Sequence, residues 1–444
     1  MKRSMFSIIF IVLLILSWGV LVLGIINRKT SYNNLIEQAE TSAEKRLYLQ
    51  SIEYYSQAYN IKNESDIYKK IYNVYTNYIE ELKDTSISEI SMEDIQTKFS
   101  EFLEIATKLY PEEEKYWIKL IQIKLEENSY KSALSYANKA KKNDFNSEEF
   151  NILYDRVYYM IEEEFDIYND YYYSNGYYTV YKDTTAIVLN LEREKMIEGL
   201  TYAGPVNKNG YFLAQNAQEA YISDIDNISR GRFGYFIEEA GYYSAESNLI
   251  PVKSGGIWFY VNKDGEKQFG EYEMASAFEN HMAAVKTEDI WYFIDEKGEK
   301  ISKSTYEDIK IEKSGNYFMD GIIIVKQNEE YKLLDDKLNE ISNLKCEDMD
   351  IYAGNDYIAY LSDGKWGYID KKGKVVKEPE YVNAKSFSQG FAAICNEEGK
   401  WGFVNKDFKL VVDYIYDNAD YFDKNFNCMV MINQQYKFIH FKNT

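Results

Sequence analysis

"GKWGYIDKKGKVVKEPEY", residues 364–381, returns 35 residues later as "GKWGFVNKDFKLVVDYIY", residues 399–416. In an extended segment Trp366, Tyr368 and Asp370 fall on one side and Gly367 and Ile369 on the other, which is the two-residue alternation of a strand. "DKKGK" is turn chemistry, with Asp opening and Gly supplying a positive φ. A return strand, "KVVKEPEY", follows, and then a third, "GFAAICNEEG". The same register runs upstream through "GIWFYVNKDGEK", "DIWYFIDEKGEK" and "EEYKLLDDKLNE", and ends in "QQYKFIHFKNT". Its anchor rings are Trp258, Trp291, Tyr331, Trp366, Trp401 and Tyr436, at intervals of 33, 40, 35, 35 and 35. Two worn copies, at Tyr177 ("GYYTVYKD") and Tyr211 ("GYFLAQN"), bring the count to eight. A second signal, clearest in "FSQGFAAICNEEGKW" (387–401), precedes each anchor by 13–15 residues.

A three-stranded meander of this length cannot bury both faces alone. Stacked on its neighbours it can, with the anchor ring as a wedge at each junction. Eight such units make a propeller-like ring with protected edges, or an open β-spiral. The spacing and the "KWGYIDKKGK" and "KWGFVNKDFK" signatures resemble the bacterial WG-repeat family. That resemblance covers residues 170–444 and implies a β-rich repeat module, often behind a membrane anchor or other domains, with no established general chemistry.

Residues 30–165 carry helical periodicity instead. In "YWIKLIQIKLEENSYKSALSYANKAKKND" (116–144), Trp117, Leu120, Tyr130, Ala133 and Ala140 take offsets resembling the tetratricopeptide pattern, in which small residues let paired helices approach. The tight-turn Gly positions of that pattern hold Arg46 and Asn128. Such a region serves as a peptide-holding groove or as a spacer. Residues 4–26 read "SMFSIIFIVLLILSWGVLVLGII", without a charge. That is long enough to span a bilayer and longer than the apolar core of a cleavable signal, so residues 1–29 are expected to be an uncleaved anchor. Lys2 and Arg3 precede the span and Arg28 and Lys29 follow it, and the free N-terminal amine adds one charge to the short side, so the N-terminus is expected in the cytoplasm and residues 30–444 outside.

The net charge of −21 disfavours nucleic-acid binding. Three widely spaced cysteines (Cys346, Cys395, Cys428) and two histidines (His281, His440) make neither a disulfide scaffold nor a zinc site, and no metal or cofactor is expected. No P-loop, dinucleotide fingerprint, GxSxG elbow or HExxH occurs in the sequence, so no catalytic residue is assigned. One concentration of rings stands out, "YYYSNGYY" (171–178). There Tyr171, Tyr172, Tyr173, Tyr177 and Tyr178 form a candidate binding surface. The expected fold is therefore a single N-terminal transmembrane helix, helical hairpins, and an all-β repeat array. The expected function is a membrane-anchored binding or scaffold protein of the cell envelope, with a protein, peptide or cell-wall glycan as partner. The alternative is an envelope carbohydrate-active hydrolase, which requires a pocket with two convergent carboxylates, one of them desolvated.

Overall fold

A computed structural model describes residues 28–84, 92–351, 354 and 356–442. They fall into two units, Met1–Val157 and Tyr158–Thr444. The span expected at 4–26 lies outside the described residues. Among the described residues no helix is long and apolar enough to cross a membrane.

The first unit is helical: α1 (28–44), α2 (Tyr48–Ile61), α3 (Ser65–Asp84), α4 (Met92–Leu109), α5 (Glu114–Glu126), α6 (Tyr130–Lys141) and α7 (Glu148–Tyr158, its last residue belonging to the second unit). Turns α1–α2 and α5–α6 each need one left-handed residue, and Arg46 (φ 60°) and Asn128 (φ 55°) supply it. One core, built on Tyr55, Ile71, Phe99, Leu103 and Tyr116, joins α1 to α5. A second joins α5 to α7 through Trp117, Ile121, Phe150 and Val157. In both, fully buried alanines (Ala39, Ala58; Ala133, Ala137, Ala140) mark where helices approach most closely.

The second unit is eight successive antiparallel sheets, blades 1 to 8, centred on residues 170–200, 202–233, 239–272, 274–294, 308–334, 348–381, 383–416 and 418–441. The expected three strands per unit are corrected to four in every blade but blade 4, whose sheet has three. In blade 7, Asn383–Ala384, Phe391–Cys395, Trp401–Asn405 and Leu410–Tyr416 pair in that order. A two-residue first strand is too short to leave an alternation in the sequence.

The open spiral is excluded by the eighth blade. Ile161–Glu163, which carries no repeat signal, pairs antiparallel with Gln435–Phe441: Ile161 with Phe441, Glu162 with His440, Glu163 with Ile439. The chain's own N-terminal strand therefore covers the last exposed edge and closes the ring.

Each blade repeats one cross-strand pair between its third and fourth strands: Trp258–Tyr272, Trp291–Tyr306, Tyr331–Cys346, Trp366–Tyr381 and Trp401–Tyr416. In blade 8 the partner of Tyr436 is Tyr168, so the closure reproduces the pairing seen within the other blades. The equivalent positions in blades 1 and 2 are Ala186 (opposite Leu200) and Ala220 (opposite Phe233). Tyr177 and Tyr211, taken from sequence as worn anchors, lie one strand earlier.

The glycine after the tryptophan has a steric cause. Opposite Gly367 the fourth strand bulges, since Trp366 pairs with Tyr381 but Tyr368 with Lys377. A Cβ on Gly367 would meet the Lys377 carbonyl oxygen at 2.5 Å, and one on Gly402 the Val412 oxygen at 2.5 Å. Blades 1 and 3 bulge by one residue fewer and instead place glycine in the outer strand, at Gly199 (φ 85°) and Gly270 (φ 101°). Gly402→Ala is therefore expected to cost about 1–3 kcal/mol, while Gly234→Ala, with nothing within 4 Å and an ordinary φ, stays within about 0.5 kcal/mol. Denaturant midpoints of the two variants check this, and equal midpoints would refute the steric account.

Candidate functional site

The eight junctions between neighbouring blades hold eight separate apolar clusters. The sequence anchors sit in six of them. Trp258, Trp291, Tyr331 and Trp401 are buried between blades 3–4, 4–5, 5–6 and 7–8. Trp366 and Tyr436 are half-buried, at junctions 6–7 and 8–1. Trp366 keeps its exposure because, with Trp401, it walls a cavity of about 480 Å³ that also receives Asp350 and Lys385. The deepest plug is the residue two positions after the anchor: Tyr260, Phe293, Leu333, Tyr368, Phe403 and Phe438 are all fully buried. This is the aromatic of the Trp-Gly-aromatic signature, and its regularity was the available signal.

The loops that follow the short first strands converge on a second cavity, of about 640 Å³, lined by residues from all eight blades. Strand alternation divides the candidate tyrosines. Tyr171, Tyr173 and Tyr178 face this cavity. Tyr172 turns away toward Tyr181, and Tyr177 packs into the junction between blades 1 and 2. Tyr173 is the exposed ring of the set, 4.9 Å from the buried ring of Tyr178.

The phenols are committed to carboxylates on other blades. Tyr171 donates to Asp420, Tyr178 to Asp423 at 3.0 Å, Tyr242 to Glu279, and Tyr421 to Asp350 at 2.6 Å. Burial first, and then the adjacent carboxylates, push these phenols well above the ordinary range, so they remain donors. Lys385 donates to Asp420 at 3.1 Å. Burial alone would raise Asp420 and lower Lys385. Their mutual attraction outweighs it, so Asp420 titrates below its usual range and Lys385 above. Asp350, which also accepts from the Ser386 N–H at 2.6 Å, is raised by burial.

Glu312 differs. It stands on the loop after the first strand of blade 5, where the anchor interval stretches to 40 residues. That loop reaches across the ring. Ser314 O accepts from Tyr242 N at 3.2 Å, Gly315 O from Ala277 N at 3.0 Å, and Lys313 Nζ lies 2.8 Å from Asp170 Oδ1. Gly315 is required there, because at φ 87° a Cβ would come within 3.1 Å of Gly241 Cα. Glu312 is half-buried and lines the cavity. Burial, aided by the charges of Asp420 and Asp350 and opposed by a hydrogen bond from Ser314, pushes its carboxyl up to about 7.

The cysteines expected in the core are buried free thiols. Among the described residues no cluster of His, Cys, Asp or Glu has the makings of a metal site.

Residues 366–401 and 401–436 match the family model of the WG containing repeat. No curated protein matches the chain. Among solved structures, BamB from Moraxella catarrhalis aligns over 64% of this chain and 98% of its own at 9% identity, with a TM-score of 0.43. The WD40 domain of SCAP from fission yeast aligns over 64% and 98% at 9% identity, with a TM-score of 0.38. The Sgt2 TPR domain from Aspergillus fumigatus aligns over 28% and 76% at 18% identity, with a TM-score of 0.21. The propeller assignment rests on the chain's own strand pairing.

A carboxyl raised from about 4.5 in the unfolded chain to about 7 in the fold stabilises the fold fully below the lower value and loses that stabilisation as pH climbs through 7. Replacing it by a neutral amide removes the loss. Glu312→Gln is therefore expected to match the native chain at pH 4.5 and exceed it by about 2–3 kcal/mol at pH 8.5. Unfolding curves at the two pH values check this, and a pH-independent difference would refute it.

Proposed function

We propose that the chain is a non-enzymatic binding and scaffold protein whose partner docks on the β-propeller. The supporting observation is the cavity at which all eight blades meet, with its carboxylates and phenols locked to one another. Groups held this way present a fixed pattern of charge and rings, as recognition requires, and are not free to exchange protons with a substrate. The partner is a protein or peptide, with a cell-wall glycan as the other ligand class that tyrosine-rich walls suit. In this reading residues 4–26 anchor the chain in the cell membrane, the N-terminus is cytoplasmic, and residues 30–444 project into the envelope. The helical unit, with its tetratricopeptide-like spacing, serves as spacer or second contact.

One observation favours the alternative hydrolase. Glu312, a carboxyl near pH 7, faces the ionised Asp420, and paired acids pushed apart in pKa are the mark of acid–base hydrolysis. Against it, both Asp420 oxygens are occupied, by Tyr171 and Lys385.

Full-length tagged chain extracted in detergent is expected to carry a stoichiometric partner that is lost on Tyr173→Ala, and to release no reducing ends from cell-wall glycan. Glycan cleavage abolished by Glu312→Gln would establish the hydrolase instead. Protease added to intact cells is expected to digest residues 30–444, and their protection would reverse the orientation.

A further inference from the structure

The central cavity holds more acid than base. Glu279, Glu312, Asp320, Asp420 and Asp423 line it, against Lys208 and Lys424, and Asp420 is bound to Lys385. Glu279 takes the Tyr242 hydroxyl and lies 3.8 Å from Lys208. Glu312 is held by Ser314 through one oxygen only. Among the described residues its Oε1 has no partner. An enclosed carboxylate without a counter-ion is costly, and supplying the counter-ion recovers that cost. The walls are suited to a cation as well. Tyr173 presents an exposed ring at the cavity, and the chain already places ammonium groups over two neighbouring rings, Lys385 Nζ 5.0 Å from the Tyr421 centroid and Lys313 Nζ 5.9 Å from that of Tyr171.

We propose that the central cavity is a binding site for an alkylammonium group, with the free oxygen of Glu312 as its counter-ion and the tyrosine rings as its walls. The volume of about 640 Å³ accepts an extended aliphatic chain, such as a lysine side chain or a free diamine, together with its water. The inference rests on the binding-module reading and names what the partner presents: a basic side chain offered to the middle of the ring.

Binding couples to protonation. The groups facing Glu312 are Asp350, Asp420, Ser314 and the phenols of Tyr173, Tyr242 and Tyr421. Of these, Asp420 is ionised and the phenols are neutral at all working pH values, while Asp350 is raised by burial without a change of partner. A cation entering below pH 7 must therefore displace the Glu312 proton.

Calorimetric titration of the full chain with putrescine tests this. Affinity is expected to rise by up to about ten-fold per unit between pH 5.5 and 7 and to level off above it. The same titration in buffers of different ionisation heat should report up to one proton released per ligand at pH 6 and none at pH 8.5. Glu312→Gln, its fold checked by melting, should weaken binding at pH 8 at least ten-fold and flatten the profile. An acetylated, amidated lysine tripeptide replaces putrescine in a second arm: tighter binding of the peptide assigns the site to a protein partner, tighter binding of putrescine to a free amine, and either supports the proposal. Absence of saturable binding at 10 mM of either probe at pH 8, lack of proton release at pH 6, or undiminished affinity in Glu312→Gln would overturn it. The binding-module reading would survive that result if Tyr173→Ala still released the partner, so the two failures are distinguishable.

Discussion

The β unit depends on one antiparallel pairing, Ile161–Glu163 against Gln435–Phe441. Without it the last blade would expose a row of unpaired N–H and C=O groups, and the cluster between blades 8 and 1 would lack Tyr168, the residue opposite Tyr436. With it, every blade has two neighbours and all eight junctions are filled. The closing contact is also apolar: Tyr159 and Phe441 lie 6.0 Å apart, and Phe441 stacks on Phe422 at 4.9 Å. Apolar burial and hydrogen bonding thus act at the same seam, and each makes the other's geometry definite.

The repeat was legible in the sequence because its chemistry recurs. The carboxylate or amide that opens the turn does the same work from blade 3 to blade 7. Asn262, Asp295, Asp335, Asp370, Asn396 and Asn405 each accept backbone N–H groups two and four residues on. The two-residue hairpin turns were less legible. Glu288–Asp289 and Asn328–Glu329 hold two consecutive positive φ angles without a glycine. The support comes from afar: Glu273 accepts the Asp289 N–H and Glu307 the Glu329 N–H, each carboxylate standing just before a short first strand. A local propensity rule has no access to a partner 16 or 22 residues away. The first strands and the closing strand were illegible for a related reason, being too short for a pattern and specified by what they pair with. In blades 1 and 2, alanine at the anchor position misdirected the register to Tyr177 and Tyr211 one strand earlier.

The cavity was only half legible. Tyr171, Tyr173 and Tyr178 came from a conspicuous run of rings, and alternation explains why Tyr172 and Tyr177 do not join them. Asp350, Lys385 and Asp420 occupy one equivalent place, the residue after the short first strand, where blades 2 and 3 carry Gly204 and Gly241. Positions that vary between copies are invisible to a search for repetition, and they are the positions that face the middle of the ring. The same holds for Glu312: the 40-residue interval that weakened the repeat is the length that carries its loop across the ring.

The seam also sets a timetable for biosynthesis. Ile161 leaves the ribosome long before its partner Phe441, and at 5–20 residues per second the wait is roughly 15–60 s. Through that interval the nascent sheets hold an unsealed edge at each end of a growing arc. Final cooperativity arrives with the last dozen residues, so a chain shortened at its C-terminus by even one strand forfeits the contact that completes the circle, and is a candidate for edge-to-edge aggregation rather than for partial activity.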